Sequence, residues 1–194
     1  MARSATIIPF SGTSGAAPPP VWEDTPGARR YARERRVARD LVELSRLTRG
    51  GETAECTFVD LARLVGAIRA DYPQLEVSGG PSVLVNTDSR RLARILFTVL
   101  DNAHLHGAPP VSLSYDEAEM VVRDRGRGFA PALLARATEP FVIGEGALGR
   151  GVGLGLAIAA AQAALLRAEL VLANRPEGGA SVTVLFDAPE PAAA

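Results

Sequence analysis

The sequence predicts an α+β fold, a two-layer α/β sandwich in which a mixed, mostly antiparallel sheet of about five strands packs on three helices. Three observations lead to this fold class. Hydrophobic residues make up 47% of the 194 positions, which is enough for the core of one domain. Apolar residues recur at helical spacing in some segments and form short extended runs in others. Helical and extended segments are mixed in order along the chain, as expected for helices covering a sheet.

The N-terminal region is predicted to precede the sandwich as a tail and an amphipathic helix. Residues 1–27 are rich in Ser, Gly, Ala and Pro, the composition of a linker or disordered tail. Residues 28–51 follow as the helix, with apolar side chains at helical spacing from Val37 to Thr48 and Arg and Glu on the opposite face. Two partners are open for its apolar stripe: the helix folds back on its own domain, or it is half of a helical hairpin.

The sandwich domain is predicted over residues 52–188, before a Pro/Ala-rich tail at 189–194. Asp88 is a good N-cap for its central helix, and Gly107 ends that helix. The predicted helices are 59–70, 89–106, a short 131–137 and 154–167. The predicted strands are 75–77, 82–85, 111–115, 119–123, 169–173 and 181–186.

Charge and composition exclude several classes of function. The 21 basic and 22 acidic residues nearly cancel, so there is no electrostatic basis for binding nucleic acid or an anionic membrane. Every basic residue is arginine, and the absence of lysine rules out a P-loop. The single cysteine, Cys56, excludes an internal disulfide. The sequence contains neither a signal peptide nor a membrane span, so we expect a cytoplasmic location, which includes the cytoplasmic part of a membrane-bound parent.

The first of three segments suited to chemistry is residues 100–106 (LDNAHLH), within the central helix. Asn102 sits among apolar residues, where its amide must find a partner. The amide oxygen is a hard ligand of the kind that Mg²⁺ uses beside substrate phosphates. The alternative is a polar residue near a helix end that caps its own backbone.

The second segment is residues 124–129 (DRGRGF), directly after a predicted strand. Asp124 at the strand end can accept a hydrogen bond from an exocyclic amine such as that of adenine. Gly126 and Gly128 allow the backbone to approach a flat ring closely. Taken alone, the segment is equally well interpreted as an ordinary Asp/Gly turn.

The third segment is residues 149–156 (GRGVGLGL), which opens a helix. Its alternating glycines make a flexible loop whose N–H groups can face an anion at the helix N-terminus. A dinucleotide-binding fingerprint is a rival interpretation that fits badly. No clear strand precedes the loop, and no acidic residue ends a second strand at the usual interval.

Together, in this order and spacing, the segments resemble the Bergerat ATP-binding fold of the GHKL superfamily, specifically the catalytic domain of sensor histidine kinases. The resemblance covers about residues 58–186. The helix around residues 41–47 resembles the end of the family's dimerisation hairpin, which implies that a homodimer can form through residues 28–49. The matching motifs are the N box ending in Asn102, the G1 box Asp124-x-Gly126-x-Gly128, the F box Glu139-Pro140-Phe141, the G2 box at 151–156 and the final glycine motif Gly178-Gly179.

The resemblance implies ATP and Mg²⁺ as cofactors and gives each motif a role. Asn102 would coordinate Mg²⁺ and Asp124 would hold the adenine amine, in a pocket shaped by Gly126 and Gly128. His106 stands where the family often has Tyr or His near the nucleotide, although a surface histidine at a helix end is an equally good interpretation. The lid region would supply the remaining ATP-binding residues: Phe141, Arg150, Gly151, Val152, Gly153, Leu154 and Gly155.

Three residues depart from the family's pattern. Thr98 stands where the family often has a first asparagine, and Leu105 where it usually has lysine. Ile143 stands where the lid often carries arginine, and Arg150 is a candidate substitute. These departures concern the handling of the γ-phosphate rather than the binding of adenine.

The resemblance implies a protein-histidine kinase that transfers a phosphoryl group from Mg·ATP to a histidine. The only histidines, His104 and His106, both lie in the N-box segment. The phosphoacceptor is therefore expected on a missing segment or another chain, with a response regulator as the downstream partner. Two alternatives stay open: an anti-sigma-factor-type serine kinase and binding module, and a degenerate nucleotide-binding regulatory domain. The amphipathic helix before residue 50 speaks against the first, whereas Thr98 and Leu105 would permit the second.

Overall fold

The computed structural model describes residues 25–144 and 152–186. The described residues divide into two units between Arg36 and Val37. In the first unit, an ion pair joins Arg30 to Glu34 at 2.8 Å, one helical turn apart. Of the two predicted tails, only residues 25–27 belong to the described part of the chain.

Helices and strands are mixed in order, as the sequence predicts. The helices are α1 (Pro26–Arg49), α2 (Leu61–Arg69), α3 (Ser89–His106), α4 (Pro131–Leu134) and α5 (Gly155–Leu165). The strands are β1 (Thr57–Asp60), β2 (Glu76–Gly79), β3 (Leu84–Thr87), β4 (Ser112–Tyr115), β5 (Glu119–Arg123), β6 (Glu169–Asn174) and β7 (Ala180–Leu185).

The main sheet has five strands in the order β2-β4-β5-β7-β6. β2 pairs with β4 in parallel, and every other pair in this sheet is antiparallel. One continuous apolar core joins this sheet to α2, α3 and α5. Burial of such surface is the main favourable contribution to folding. The predicted α+β class, with a mixed and mostly antiparallel five-stranded sheet, is confirmed.

The start of α2 differs from the prediction, which placed the helix at 59–70. Residues Thr57 to Asp60 instead form β1, which pairs antiparallel with β3 so that Val59 lies opposite Val85. Asp60 then caps the helix, because its Oδ1 accepts a hydrogen bond from the N–H of Ala62 at 2.9 Å. The same pairing places β3 at 84–87 rather than at the predicted 82–85. These two strands form a separate two-stranded sheet that the sequence did not predict.

The central helix α3 runs from residue 89 to residue 106, as predicted. Asp88 is its N-cap: Oδ1 accepts hydrogen bonds from the N–H groups of Arg90 at 3.0 Å and Arg91 at 3.3 Å. The other oxygen, Oδ2, accepts from the N–H of Glu55 at 3.0 Å. One buried carboxylate therefore fixes both the first turn of α3 and the chain that leads to β1.

The second half of α1, residues 37–49, contacts the sandwich through polar side chains. Arg94 of α3 lies 2.9 Å from Glu43 Oε2 and 3.1 Å from Asp40 Oδ1. Leu41 and Val42, by contrast, are 41% and 53% exposed. This part of the helix therefore lies against its own domain but leaves Leu41 and Val42 exposed, and the hairpin interpretation stays a prediction. Within the described residues, no helix combines the length and the apolar character that a bilayer crossing requires.

We expect Asp88→Ala to lower the free energy of unfolding by about 1–2 kcal/mol at neutral pH, because the N-cap of α3 is lost. Burial by itself would raise the pKa of Asp88, but hydrogen bonds from Glu55, Arg91 and Arg90 lower it below its usual value. The contribution is therefore present above the unfolded pKa, which is about 3.9, and is lost as the pH falls through the folded pKa.

Urea denaturation of the wild type and Asp88→Ala at several pH values measures this difference. The difference in free energy of unfolding between the two proteins should become smaller as the solution becomes acidic. Asp71→Ala, at an exposed position, is the matched control and should leave stability nearly unchanged. A difference between wild type and Asp88→Ala that stays constant at every pH would contradict this role for the carboxylate.

Candidate functional site

Asn102 lies on the last turns of α3, half-buried, between the core residues Leu100 and Ala103. The adjacent Asp101 accepts a hydrogen bond from the hydroxyl of Tyr72 at 2.8 Å. The apolar face of α3 packs into the core, so the polar residues at its C-terminal end are held in fixed positions on the helix.

The two histidines lie on the same helix end, and both are exposed. His104 Nδ1 is 2.8 Å from the carbonyl of Leu100, and its ring lies 5.0 Å from that of Tyr72. His104 is therefore held against the body of the domain. His106 is the last residue of the helix, where the sequence placed it.

Asp124 follows directly on β5 and is 6% exposed. Its N–H donates to the carbonyl of Ala180 at 3.1 Å, which joins it to the first residue of β7. Its Oδ1 accepts from the N–H of Gly126 at 2.6 Å. Among the described residues, no donor reaches the other oxygen, Oδ2. Oδ2 is not among the buried side-chain atoms that lack a partner, so it is open to solvent and can accept a hydrogen bond from a ligand donor.

Three glycines surround Asp124 where a side chain would not fit. A Cβ atom on Gly107 would come 2.5 Å from Asp124 Cγ, and one on Gly126 would come 2.7 Å from Gly107 Cα. A Cβ on Gly179, in the turn between β6 and β7, would clash with the carbonyl oxygen of Asp124. The end of α3, the loop after β5 and the β6–β7 turn therefore meet at this carboxylate.

The F-box segment is joined to the glycine loop before α5. The N–H of Phe141 donates to the carbonyl of Gly153 at 2.9 Å. Gly153 has a φ of 72°, and a Cβ there would clash with the carbonyl oxygen of Val142. Glycine is thus required at this position by both backbone conformation and space. The Phe141 side chain is 62% exposed.

The first residue of α5, Gly155, lies on α3. A Cβ atom added to Gly155 would lie 3.2 Å from Cγ2 of Thr98, which is one helical turn before Asn102. Leu154 is 1% exposed and anchors the start of α5 in the core, and Val152 is half-buried. The remaining predicted lid residues, Arg150 and Gly151, lie outside the described residues.

Two residues of the site were not predicted from the sequence. The side chain of Asn174, at the end of β6, makes two hydrogen bonds to the backbone of Phe129. The guanidinium of Arg175 donates to the carbonyl of Asp124 at 2.9 Å. Both residues act on a loop about 50 positions earlier in the chain, so no local motif could have identified them.

Comparison with known proteins identifies the class to which this fold and site belong. Residues 87–190 match the family described as histidine kinase-, DNA gyrase B-, and HSP90-like ATPase. The chain belongs to this family. The resemblance that the motifs indicated is therefore confirmed.

Individual relatives narrow the class to sensor kinases. The chain is 42% identical over 147 residues to the sensor protein CseC of Streptomyces coelicolor, covering 74% of this chain and 29% of CseC. It is 37% identical over 116 residues to the sensor histidine kinase component HK1 of Mycobacterium tuberculosis, covering 57% of this chain and 69% of HK1. The crystal structure of the ATP binding domain of PrrB from Mycobacterium tuberculosis superimposes with a TM-score of 0.54 at 27% identity, covering 70% of this chain and 99% of that one. The chain thus spans about three tenths of the length of the CseC proteins it matches.

We expect Gly107→Ala to destabilise the domain by about 1–3 kcal/mol, because the added methyl group must displace the Asp124 carboxyl or the end of α3. Gly66→Ala is the matched control, since no atom lies within 4 Å of a Cβ at that helical position. It should raise stability by up to about 1 kcal/mol through helix propensity. Urea denaturation of both variants provides the measurement, and equal stability of the two would refute the close packing at Gly107.

Proposed function

We propose that this chain is the ATP-binding catalytic domain of a two-component sensor histidine kinase, which aligns Mg·ATP for phosphoryl transfer to a histidine. One observation carries the proposal. The Asp124 loop packs on the C-terminal end of α3, and Gly155, the first residue of α5 after the glycine loop, packs on the same helix one turn before Asn102. A carboxylate, an amide and a glycine hinge are thereby grouped around one helix end, as a single nucleotide would require.

Asp124 is proposed to select adenine. Its free Oδ2 can accept a hydrogen bond from the exocyclic amine, and the half-buried Gly126 and Gly128 allow the ring to lie against backbone. Guanine carries an oxygen in place of that amine, so it would set two acceptors against each other in a nearly buried site. Unpaired buried polar groups of this kind discriminate strongly between ligands.

Asn102 is proposed to hold Mg²⁺ through its amide oxygen. Among the described residues, no group of three or more His, Cys, Asp or Glu side chains is placed to bind a metal ion. A magnesium ion at Asn102 would also take ligands from the nucleotide phosphates and from water, which suits this ion. When bound, the ion neutralises phosphate charge. His106, which lies one helical turn further along α3, is proposed to face the nucleotide.

The loop before α5 is proposed to bind the phosphates. Helix N-termini present backbone N–H groups and a partial positive charge to anions. Gly151, Gly153 and Gly155 would give this loop its freedom to close, with Phe141, Val152 and Leu154 around them. Because the chain has no lysine, Arg150 is the proposed cation beside the phosphates. Phosphoryl transfer depends mainly on such alignment and charge neutralisation.

The phosphoacceptor histidine is proposed to come from a segment outside this chain or from another chain, with a response regulator receiving the phosphoryl group. A kinase of this class acts in the cytoplasm, where ATP is available. The relatives are named as sensor proteins and sensor histidine kinases, which supports this function over the anti-sigma-factor alternative.

Asp124→Asn should abolish measurable binding of ATP and ADP. The Asn side chain keeps the Oδ1 acceptor for the N–H of Gly126 but can place an NH₂ donor where Oδ2 would meet the adenine amine. Isothermal calorimetry measures the affinity, and circular dichroism checks that the variant is folded. Asp71→Asn, an exposed change of the same chemistry, is the control. Unchanged affinity in Asp124→Asn would remove the adenine assignment.

The chain alone should bind ATP without labelling itself when it is incubated with γ-labelled ATP and Mg²⁺. Its two histidines lie in the N-box helix, and His104 is held by the carbonyl of Leu100. A separately supplied histidine-bearing dimerisation domain of a sensor kinase should acquire acid-labile label. Robust acid-labile labelling of the chain alone would contradict the assignment, and ATP binding with no transfer to any acceptor domain would favour a degenerate regulatory domain.

A further inference from the structure

The loop of residues 124–129 is held at both ends by two consecutive residues of a distant hairpin. Asn174 is the last residue of β6, the edge strand of the main sheet, and Arg175 begins the turn to β7. Asn174 contacts Phe129 at one end of the loop, and Arg175 contacts Asp124 at the other.

The Asn174 side chain acts as a substitute for a paired strand. Its Oδ1 accepts from the N–H of Phe129 at 2.7 Å, and its Nδ2 donates to the carbonyl of the same residue at 2.8 Å. This pair of bonds satisfies both backbone groups of one residue, as a neighbouring strand would. The backbone of Phe129 is therefore fixed by a single side-chain amide.

The same side chain also determines the shape of the loop at Gly128. Gly128 has a φ of 70°, and a Cβ there would clash with Asn174 Oδ1. Both the positive φ of Gly128 and its close contact with the Asn174 amide require a residue without a Cβ atom, which only glycine provides. At the other end, Arg175 Nη1 donates to the carbonyl of Asp124 at 2.9 Å, and Glu177 pairs with the same guanidinium.

We propose that Asn174 is a positioning residue for the nucleotide, which holds Gly128 and Phe129 so that the loop after Asp124 keeps its ligand-binding shape. The inference rests on the proposed function, since it assigns the adenine pocket to this loop. Asn174 does not touch the reacting atoms. It restricts the loop before the nucleotide binds, so that less conformational freedom is lost on binding.

Asn174→Ala should weaken binding of Mg·ATP about tenfold, which is the loss expected when two hydrogen bonds that order a binding loop are removed. The Asn174 side chain is exposed, so its removal leaves no cavity in the core and Tm should fall little. Asn174→Asp should also weaken binding, because a carboxylate can accept from the N–H of Phe129 but cannot donate to its carbonyl. Asn86→Ala, at an exposed position on β3, is the matched control.

The ratio of the Kd values for ATP and GTP separates positioning from a purely structural role. A loosened adenine pocket should bring the two affinities closer together in Asn174→Ala, whereas a general loss of folded protein would lower both in proportion. Should Asn174→Ala not fold, the Asn174→Asp variant supplies the same ratio, since it keeps the side-chain volume.

Parallel measurements on the wild type and Asp124→Asn separate failure of the two proposals. If the wild type binds ATP, Asp124→Asn does not and Asn174→Ala binds like the wild type, the positioning role is overturned while the proposed function stands. If the wild type does not bind ATP at all, both are overturned. A weaker affinity of Asn174→Ala for ATP, with the ratio of the Kd values for ATP and GTP unchanged from the wild type, also overturns the positioning role.

Discussion

Asp124 lies where three segments of the chain meet with no space for a side chain between them. Gly107, which ends α3, lies against the Asp124 carboxyl, and the N–H of Gly126 in the following loop donates a hydrogen bond to that carboxyl. Gly179 lies against the backbone carbonyl oxygen of Asp124. Protein interiors are packed closely enough that one extra methyl group in such a place must move a neighbour. The position of Asp124 is thus determined by backbone on three sides, and its Oδ2 has no donor among the described residues.

Helix α3 is the element on which the rest of the site is assembled. Asp88 fixes its first turn, and its apolar face is buried against the sheet and against α5. Near its C-terminal end it carries Asn102. One glycine from each glycine-rich segment packs against this helix or its C-cap: Gly126 against Gly107, and Gly155 against Thr98. Movement of α3 relative to the sheet would therefore alter every proposed nucleotide contact at once. The polar residues can remain half-exposed because the buried face of the helix supplies the rigidity.

The predictability of each element from the sequence followed the strength of its local signals. The bounds of α3 could be predicted because the apolar spacing, the cap at Asp88 and the stop at Gly107 agree. Strand β1 could not, because four residues that run directly into a helix have no periodicity of their own. Its identity depends on pairing with β3, a contact that local pattern does not encode.

The candidate site shows the same division between local and distant information. Its three motif segments are visible in the sequence because they need particular residue types at fixed spacing, including glycine at positions without space. Asn174 could not be recognised in this way. Its importance arises from two hydrogen bonds to a residue 45 positions earlier, and an exposed asparagine at a strand end has no distinguishing local pattern.

The attachment of the second half of α1 to α3 differs in kind from the packing that holds the sandwich together. It includes ion pairs of Arg94 with Asp40 and Glu43, side chains that are between 17% and 35% exposed, and Glu43 is also bonded to Gln162 of α5. Dissolved salt weakens such ion pairs, although less than it weakens fully exposed ones, because these side chains are partly buried. Apolar burial is not weakened in this way. Ionic strength therefore changes the attachment of the second half of α1 to α3 without the same effect on the apolar core of the sandwich.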